Sequence, residues 1–134
     1  MYSKAMLFKD YEIADKIMLE SSPQKMKALG RKVKDYDDGV WASSGERLTY
    51  IGLLAKFQQN EKLKLELLDT GNRELVEASP RDRVWGIGMG VTNKDIEDKT
   101  KWKGRNILGK ILMRVRDHIA SETMLQNAFK ITNQ

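Results

Sequence analysis

The chain has 134 residues, 24 Lys and Arg against 19 Asp and Glu, a formal net charge of +5, one His and no Cys. That length suits one domain. The lack of Cys excludes disulfides, thiolate nucleophiles and Cys-ligated metals, and the single His excludes a His-rich metal site. The hydrophobic share of 40% can build a core, and the 32% of charged residues are mixed in sign, so disorder is not implied. The small positive excess favours an anionic partner such as a phosphate-bearing metabolite or a nucleic acid. The N-terminus lacks the basic-then-apolar pattern of a signal peptide, and no apolar run is long enough to span a bilayer. A cytoplasmic protein with no membrane partner is expected.

In chain order, Met1–Phe8 reads as a short helix without a visible cap. Asp10 caps the next helix, Tyr11–Leu19, in which Ile13, Ile17 and Met18 recur at helical spacing. Ser22-Pro23 restarts a helix, and Gly30 is placed to end it. Residues 32–39 are polar and read as a loop. A longer helix covers about 46–58, with Leu48, Ile51, Leu54 and Phe57 near its core face. Glu61–Asp69 is a further helix, stopped by Thr70-Gly71-Asn72. Glu74–Ala78 and Arg83–Ile87 look like two short strands around a turn at Ser79-Pro80. Residues 89–104 are irregular and polar. A last helix runs from about Asn106 to Ile119 on the stripe Ile107, Leu108, Ile111, Leu112, Val115 and Ile119, and the tail after Ala120 extends it or frays. The sum is a helix-dominated α+β domain with a small β-sheet.

Chemistry-bearing residues concentrate between Leu75 and Gly88. Glu77 and Asp82 flank the Ser-Pro turn. Paired carboxylates can stabilise an oxocarbenium-like centre and activate water; equally, Asp82 can cap a turn while Glu77 pairs with an Arg. Trp85 precedes Gly86-Ile87-Gly88, where backbone can approach a ligand closely, and an indole there can stack on a base or simply pack. Trp41 sits among small and charged residues, an unusual setting for plain core. The glycines lack the Lys-Ser/Thr ending of a P-loop, and no capped helix follows them as a dinucleotide fold demands. Lys101-Trp102-Lys103-Gly104-Arg105-Asn106 leads into the last helix. Its N-terminus, capped by Asn106, is a candidate phosphate site, or the segment is an exposed basic loop. Lys4 lies in a mostly apolar stretch. Partial desolvation would lower its pKa and suit it to nucleophilic attack or phosphate binding, whereas the residues alone favour a snorkelling surface Lys.

These segments together resemble the NADAR, or YbiA-like, family. The matching pieces are Tyr2-Ser3-Lys4-Ala5 with Phe8, Ser21-Ser22-Pro23 with Ala28-Leu29-Gly30-Arg31, Val40-Trp41, Leu53-Leu54-Ala55-Lys56-Phe57 with Asn60, and Leu67-Leu68-x-Thr70-Gly71. The most specific block is Glu77-Ala78-Ser79-Pro80-x-Asp82-x-x-Trp85-Gly86-Ile87-Gly88, followed by Trp102-x-Gly104-x-Asn106-x-Leu108-Gly109. The resemblance implies an N-glycosidase that cleaves a ribose C1–N bond. One branch of the family acts on phosphorylated ribosylamino-pyrimidine intermediates of riboflavin synthesis. Another is tied to NAD and ADP-ribose metabolism and removes ADP-ribose from guanine bases.

By resemblance, Lys4 becomes catalytic, attacking C1 to form an imine or placing the phosphate. Glu77 and Asp82 handle protons or stabilise charge on the sugar. Trp41 and Trp85 enclose the base, with Gly86 beside them. Arg31, Asn106 and the helix start after Gly104 hold phosphate or ribose. No metal or other cofactor is required. The expected partner is a small phosphorylated ribosyl substrate, with ADP-ribosylated nucleic acid as a second class. The resemblance also implies a single domain over 1–134 that is N-terminally short, because family members carry a further segment, including a Glu-containing motif, before the Tyr-x-x-Lys helix. A non-catalytic module that binds NAD or ADP-ribose is the remaining reading.

Overall fold

The structure, a computed structural model, describes residues 1–132. The chain divides into two compact units, Met1–Gly52 and Leu53–Gln134. Its helices are α1 (Tyr2–Leu7), α2 (Tyr11–Leu19), α3 (Pro23–Gly30), α4 (Asp38–Gln58), α5 (Glu61–Asp69) and α6 (Ile107–Thr132), with a single 3-10 turn at Lys99–Lys101.

In the first unit, α1 stops because Lys9 takes a left-handed conformation (φ 57°) and Asp10 N–H returns to the Ala5 carbonyl at 2.9 Å. That break lets Asp10 cap α2, with Oδ1 accepting from Ile13 N–H. Ser22 Oγ accepts from Lys25 N–H, and Pro23 opens α3 where its missing N–H costs nothing. Ala5, Ile13, Ala14, Ile17 and Val33 form the buried cluster, with Phe8, Met26 and Leu29 against it. The small side chains of Ala5 and Ala14 allow α1 and α2 to approach, and the fourfold spacing of Ile13 and Ile17 puts both on one face. Helix α4 begins eight residues before the predicted Glu46. Asp37 Oδ1 accepts from Val40 N–H at 2.8 Å and caps the start, so Gly39 lies inside the helix.

Asp10 also ties down the segment after α3, because its Oδ2 accepts from Lys34 N–H at 2.9 Å. These bonds favour the ionised carboxylate and, led by the one from Lys34, hold its pKa below the usual value. A group whose pKa is depressed by folding stabilises the folded state above the unfolded pKa and loses that contribution as pH falls through the folded one. Asp10→Asn is therefore expected to lower the melting temperature near neutral pH. It also flattens the decline of melting temperature as pH falls below the ordinary aspartate pKa of about 3.9, as followed by circular dichroism.

In the second unit, Asn60 caps α5 through Leu63 N–H. Gly71 adopts φ 55° where the chain turns away, the geometry that the Thr-Gly-Asn stop predicts. Arg116, buried on α6, donates from Nη1 to Thr70 Oγ1 and the Arg73 carbonyl at 2.9 and 2.8 Å, fixing this turn. Ile107, Ile111, Val115 and Ile119 are buried at intervals of four, as the stripe predicts. Ile51, expected on the core face of α4, is instead 52% exposed. No helix among the described residues is long and apolar enough to cross a membrane.

The expected β-sheet is absent: the described residues contain no strand. The extended pieces exist but pair differently. The five consecutive carbonyls of residues 83–87 accept from N–H groups of Arg105, Ile107, Leu108, Asn106 and Lys103 respectively. A β-ladder uses alternate residues on each side, so five successive carbonyls turned to one segment make a coil. Along 75–77 the neighbour is a side chain: the Asn106 amide bonds to Leu75 and Glu77. With Val76, Val84 and Ile87 as the only β-branched residues in these pieces, the sequence offers little to enforce a pleat.

Candidate functional site

Three of the residues singled out in sequence, Lys4, Arg31 and Trp41, belong to the first unit. Lys4 projects from α1, half-buried, and its Nζ donates to the Gly30 carbonyl at 2.9 Å. The same nitrogen lies 3.9 Å from the centre of the Tyr36 ring, within cation–π range. Phe8 meets that ring edge-on, with centroids 5.3 Å apart and planes at 63°. Burial pushes the Lys4 amine below its ordinary pKa, and the Asp38 carboxylate opposes the shift without cancelling it. Burial and a hydrogen bond to Asp38 raise the Tyr36 hydroxyl. Gly30 is buried against the Met1 side chain with no room for a Cβ, so α3 can bring a bare carbonyl up to Lys4. Arg31 closes α3 and is exposed. Trp41 lies half-buried on α4 with its indole over Gly45, where a Cβ would come within 2.9 Å of the ring. Sequence reasoning misses Tyr36, whose one signal is an aromatic among charged residues.

Glu77, Asp82, Trp85, Gly86, Gly104 and Asn106 lie in the second unit, in two interlocked segments. Gly86 sits between the carbonyls of Glu77 and Asp82, which a Cβ there would meet at 2.8 and 2.9 Å. Ile87 N–H donates to the Glu77 carbonyl and Gly88 N–H to the Asp82 carbonyl, each at 3.0 Å. Asp82 Oδ1 accepts from three successive N–H groups, those of Val84, Trp85 and Gly86. One oxygen of Asp82 thus organises the loop. By contrast, the half-buried Glu77 carboxylate makes no hydrogen bond or ion pair among the described residues. The N–H groups of residues 86–88 all point into the loop, which gives a physical ground for rejecting a phosphate-cradling reading of these glycines.

Asn106, 1% exposed at φ 52°, joins the two segments. Its Oδ1 accepts from Glu77 N–H at 3.0 Å and its Nδ2 donates to the Leu75 carbonyl at 2.9 Å. The predicted helix-capping role is therefore corrected: the side chain lies over Gly109 in the first turn of α6 but bonds to the 75–77 segment and not to helix N–H groups. The predicted anion site at the helix start also loses its donors, because the N–H groups of Ile107 and Leu108 bond to the carbonyls of Val84 and Trp85. Asn106→Ala would strand two buried backbone groups and replace Asn, which tolerates positive φ, by a residue that does not. It is expected to cost about 2–4 kcal/mol in urea denaturation. Among the described residues, no group of three or more His, Cys, Asp or Glu is placed to hold a metal ion.

Residues 1–120 match the NADAR domain family. The chain is similar to "Protein irg-1" of Caenorhabditis elegans, 40% identical over 89% of this chain and 57% of that protein. It is also similar to "N-glycosidase R617" of Acanthamoeba polyphaga mimivirus, 41% identical over 87% of this chain and 69% of that protein. "N-glycosidase YbiA" of Escherichia coli (strain K12) is 32% identical over 90% of the chain and 69% of its own length. "Riboflavin biosynthesis protein VVA0006" of Vibrio vulnificus is 30% identical over 88% of the chain and 29% of its own. The chain thus spans 57% of irg-1 and about two thirds of the N-glycosidases it matches.

Proposed function

We propose that this chain, which belongs to the NADAR family, is an N-glycosidase that hydrolyses the bond between ribose C1 and nitrogen in a phosphorylated ribosylamine. The observation that carries the reading is Lys4, a half-buried amine anchored on the Gly30 carbonyl and depressed in pKa, in a chain with relatives named N-glycosidases. A lysine below its ordinary pKa presents more of the neutral, nucleophilic form near neutral pH. The relative named for riboflavin biosynthesis favours a ribosylamine of that type as substrate.

In this account the neutral Lys4 amine attacks C1, and the C1–N bond to the base breaks. The proton lost by the Lys4 nitrogen passes through water to the departing nitrogen. The sugar ring opens to an imine on Lys4. Water then adds to C1, the C1–Lys4 bond breaks, and the sugar leaves as its aldehyde or ring form. The net change is ribosylamine plus water giving free base plus ribose phosphate, with the Lys4 amine restored. Within the second unit, Glu77 keeps an unengaged carboxylate that can carry a proton, whereas Asp82 shapes the loop carrying Trp85 and Gly86. In the same unit as Lys4, the exposed Arg31 holds the phosphate and Trp41 stacks on the base. Gly104 lets the loops pack closely. A cytoplasmic location belongs to this reading and rests on composition.

The test incubates the purified chain in parallel with a ribosylamino-pyrimidine phosphate, NAD, ADP-ribose and ADP-ribosylated guanine DNA, following products by mass spectrometry. Release of free pyrimidine from the first is the expected result. Release of ADP-ribose from DNA alone would place the chain in the ADP-ribosyl hydrolase class instead. Binding of NAD or ADP-ribose without any release, by a folded chain, would make it a binding module.

A further inference from the structure

The Lys4 amine is held from two sides, by the Gly30 carbonyl at 2.9 Å and by the face of Tyr36 at 3.9 Å. A lysine side chain has several freely turning bonds, and fixing its end in one place costs rotamer entropy that two contacts can offset. Tyr36 is itself fixed. Phe8 packs on its ring, and the Asp10 side chain clasps its segment at Lys34. The charged or titratable groups that act on Lys4 are Asp38 and the Met1 α-amino group, with the Tyr36 hydroxyl beside them.

We propose that Tyr36 is a positioning residue for Lys4: its ring face holds the protonated amine on the Gly30 carbonyl, so that on losing its proton the nitrogen already stands where its lone pair meets an incoming C1. This rests on Lys4 being the reacting amine. The ring does the positioning, since both Lys4 and Phe8 meet its ring and not its hydroxyl. Phe therefore serves almost as well as Tyr, whereas Leu, of comparable bulk but without a π face, does not.

The probe is ribose 5-phosphate, whose open-chain aldehyde condenses with an amine, releasing water to give an imine. Added cyanoborohydride supplies hydride and reduces the imine to a stable secondary amine. Peptide mass spectrometry reads the rate of adduct formation at Lys4 in the full chain. Tyr36→Phe is expected to trap within about 3-fold of the parent, and Tyr36→Leu at least about 10-fold more slowly. The full chain carrying ε-13C-lysine gives a second readout. The Lys4 Cε protons should resonate upfield, shifted by the ring, in the parent and Tyr36→Phe but not in Tyr36→Leu. Trapping by Tyr36→Leu at the parent rate overturns the proposal, as does Tyr36→Phe falling as far as Tyr36→Leu. Absence of the upfield shift in the parent overturns it whether or not the variants fold. No glycosidic bond is cut in this assay, so a parent that traps the aldehyde yet never turns over a ribosylamine contradicts the glycosidase reading alone.

Discussion

Lys4→Ala lowers turnover of the ribosylamine by about 1,000-fold or more while leaving the helical spectrum unchanged. The large catalytic effect follows from removing the protein atom proposed to bond to C1. The small structural effect follows from position. Lys4 is half-buried on a six-residue helix and makes one hydrogen bond, so its loss costs about 1 kcal/mol. Lys4→Arg separates the two roles open to a cation at this place. A guanidinium keeps the charge, and with it any hold on a phosphate, but stays protonated and forms no imine. Activity lost in both variants marks a nucleophile; activity kept in Lys4→Arg marks a phosphate anchor. The pH profile gives an independent sign check. The reactive form is neutral and the pKa is lowered, so activity rises with pH through a value below the ordinary lysine figure of about 10.4.

Gly104→Ala is expected to destabilise the second unit strongly. A Cβ at Gly104 would lie 2.8 Å from Arg83 Cα and from the Ile87 carbonyl carbon, and would run into the Gly86 carbonyl oxygen. All three are backbone atoms of the segment carrying Trp85, so no side chain can swing aside. The segments must separate, breaking the bonds that join carbonyls 83–87 to residues 103–108. The expected cost is about 3 kcal/mol or more, with a fall in melting temperature of roughly 10 °C. Gly52→Ala is the control. It sits within α4 with no atom within 4 Å of the added carbon, so it is expected to be neutral or stabilising by up to about 1 kcal/mol. Calorimetry on the pair reads both.

What was legible in the sequence was local. Asp10, Ser22 with Pro23, and Thr70 with Gly71 announced helix ends because a cap acts on N–H or C=O groups within three or four residues. The α6 stripe was legible because four-residue spacing survives any packing partner. The start of α4 was not, since Gly39, Ser43, Ser44 and Gly45 form helices weakly and the signal rested on the single cap from Asp37. The β-sheet expectation failed for a non-local reason. Extended residues 74–78 and 83–87 read as strands, but their partners are an asparagine side chain and a run of amides some twenty residues on. The family motif pointed to Asp82 and Asn106, yet only coordinates reveal that one oxygen of the first and both amide ends of the second are bound to loop backbone. Tyr36 escaped because its contact with Lys4 spans 32 positions in sequence.

The central claim is a covalent intermediate on Lys4, and the most direct measurement is a chemical quench of the working enzyme. The chain is mixed with the ribosylamino-pyrimidine phosphate, quenched with borohydride within the first turnover, digested and analysed by mass spectrometry. The account predicts that the peptide containing Lys4 gains the mass of one reduced pentose phosphate while free pyrimidine appears in equal amount. Turnover with no adduct on that peptide, undiminished in Lys4→Ala, would contradict it.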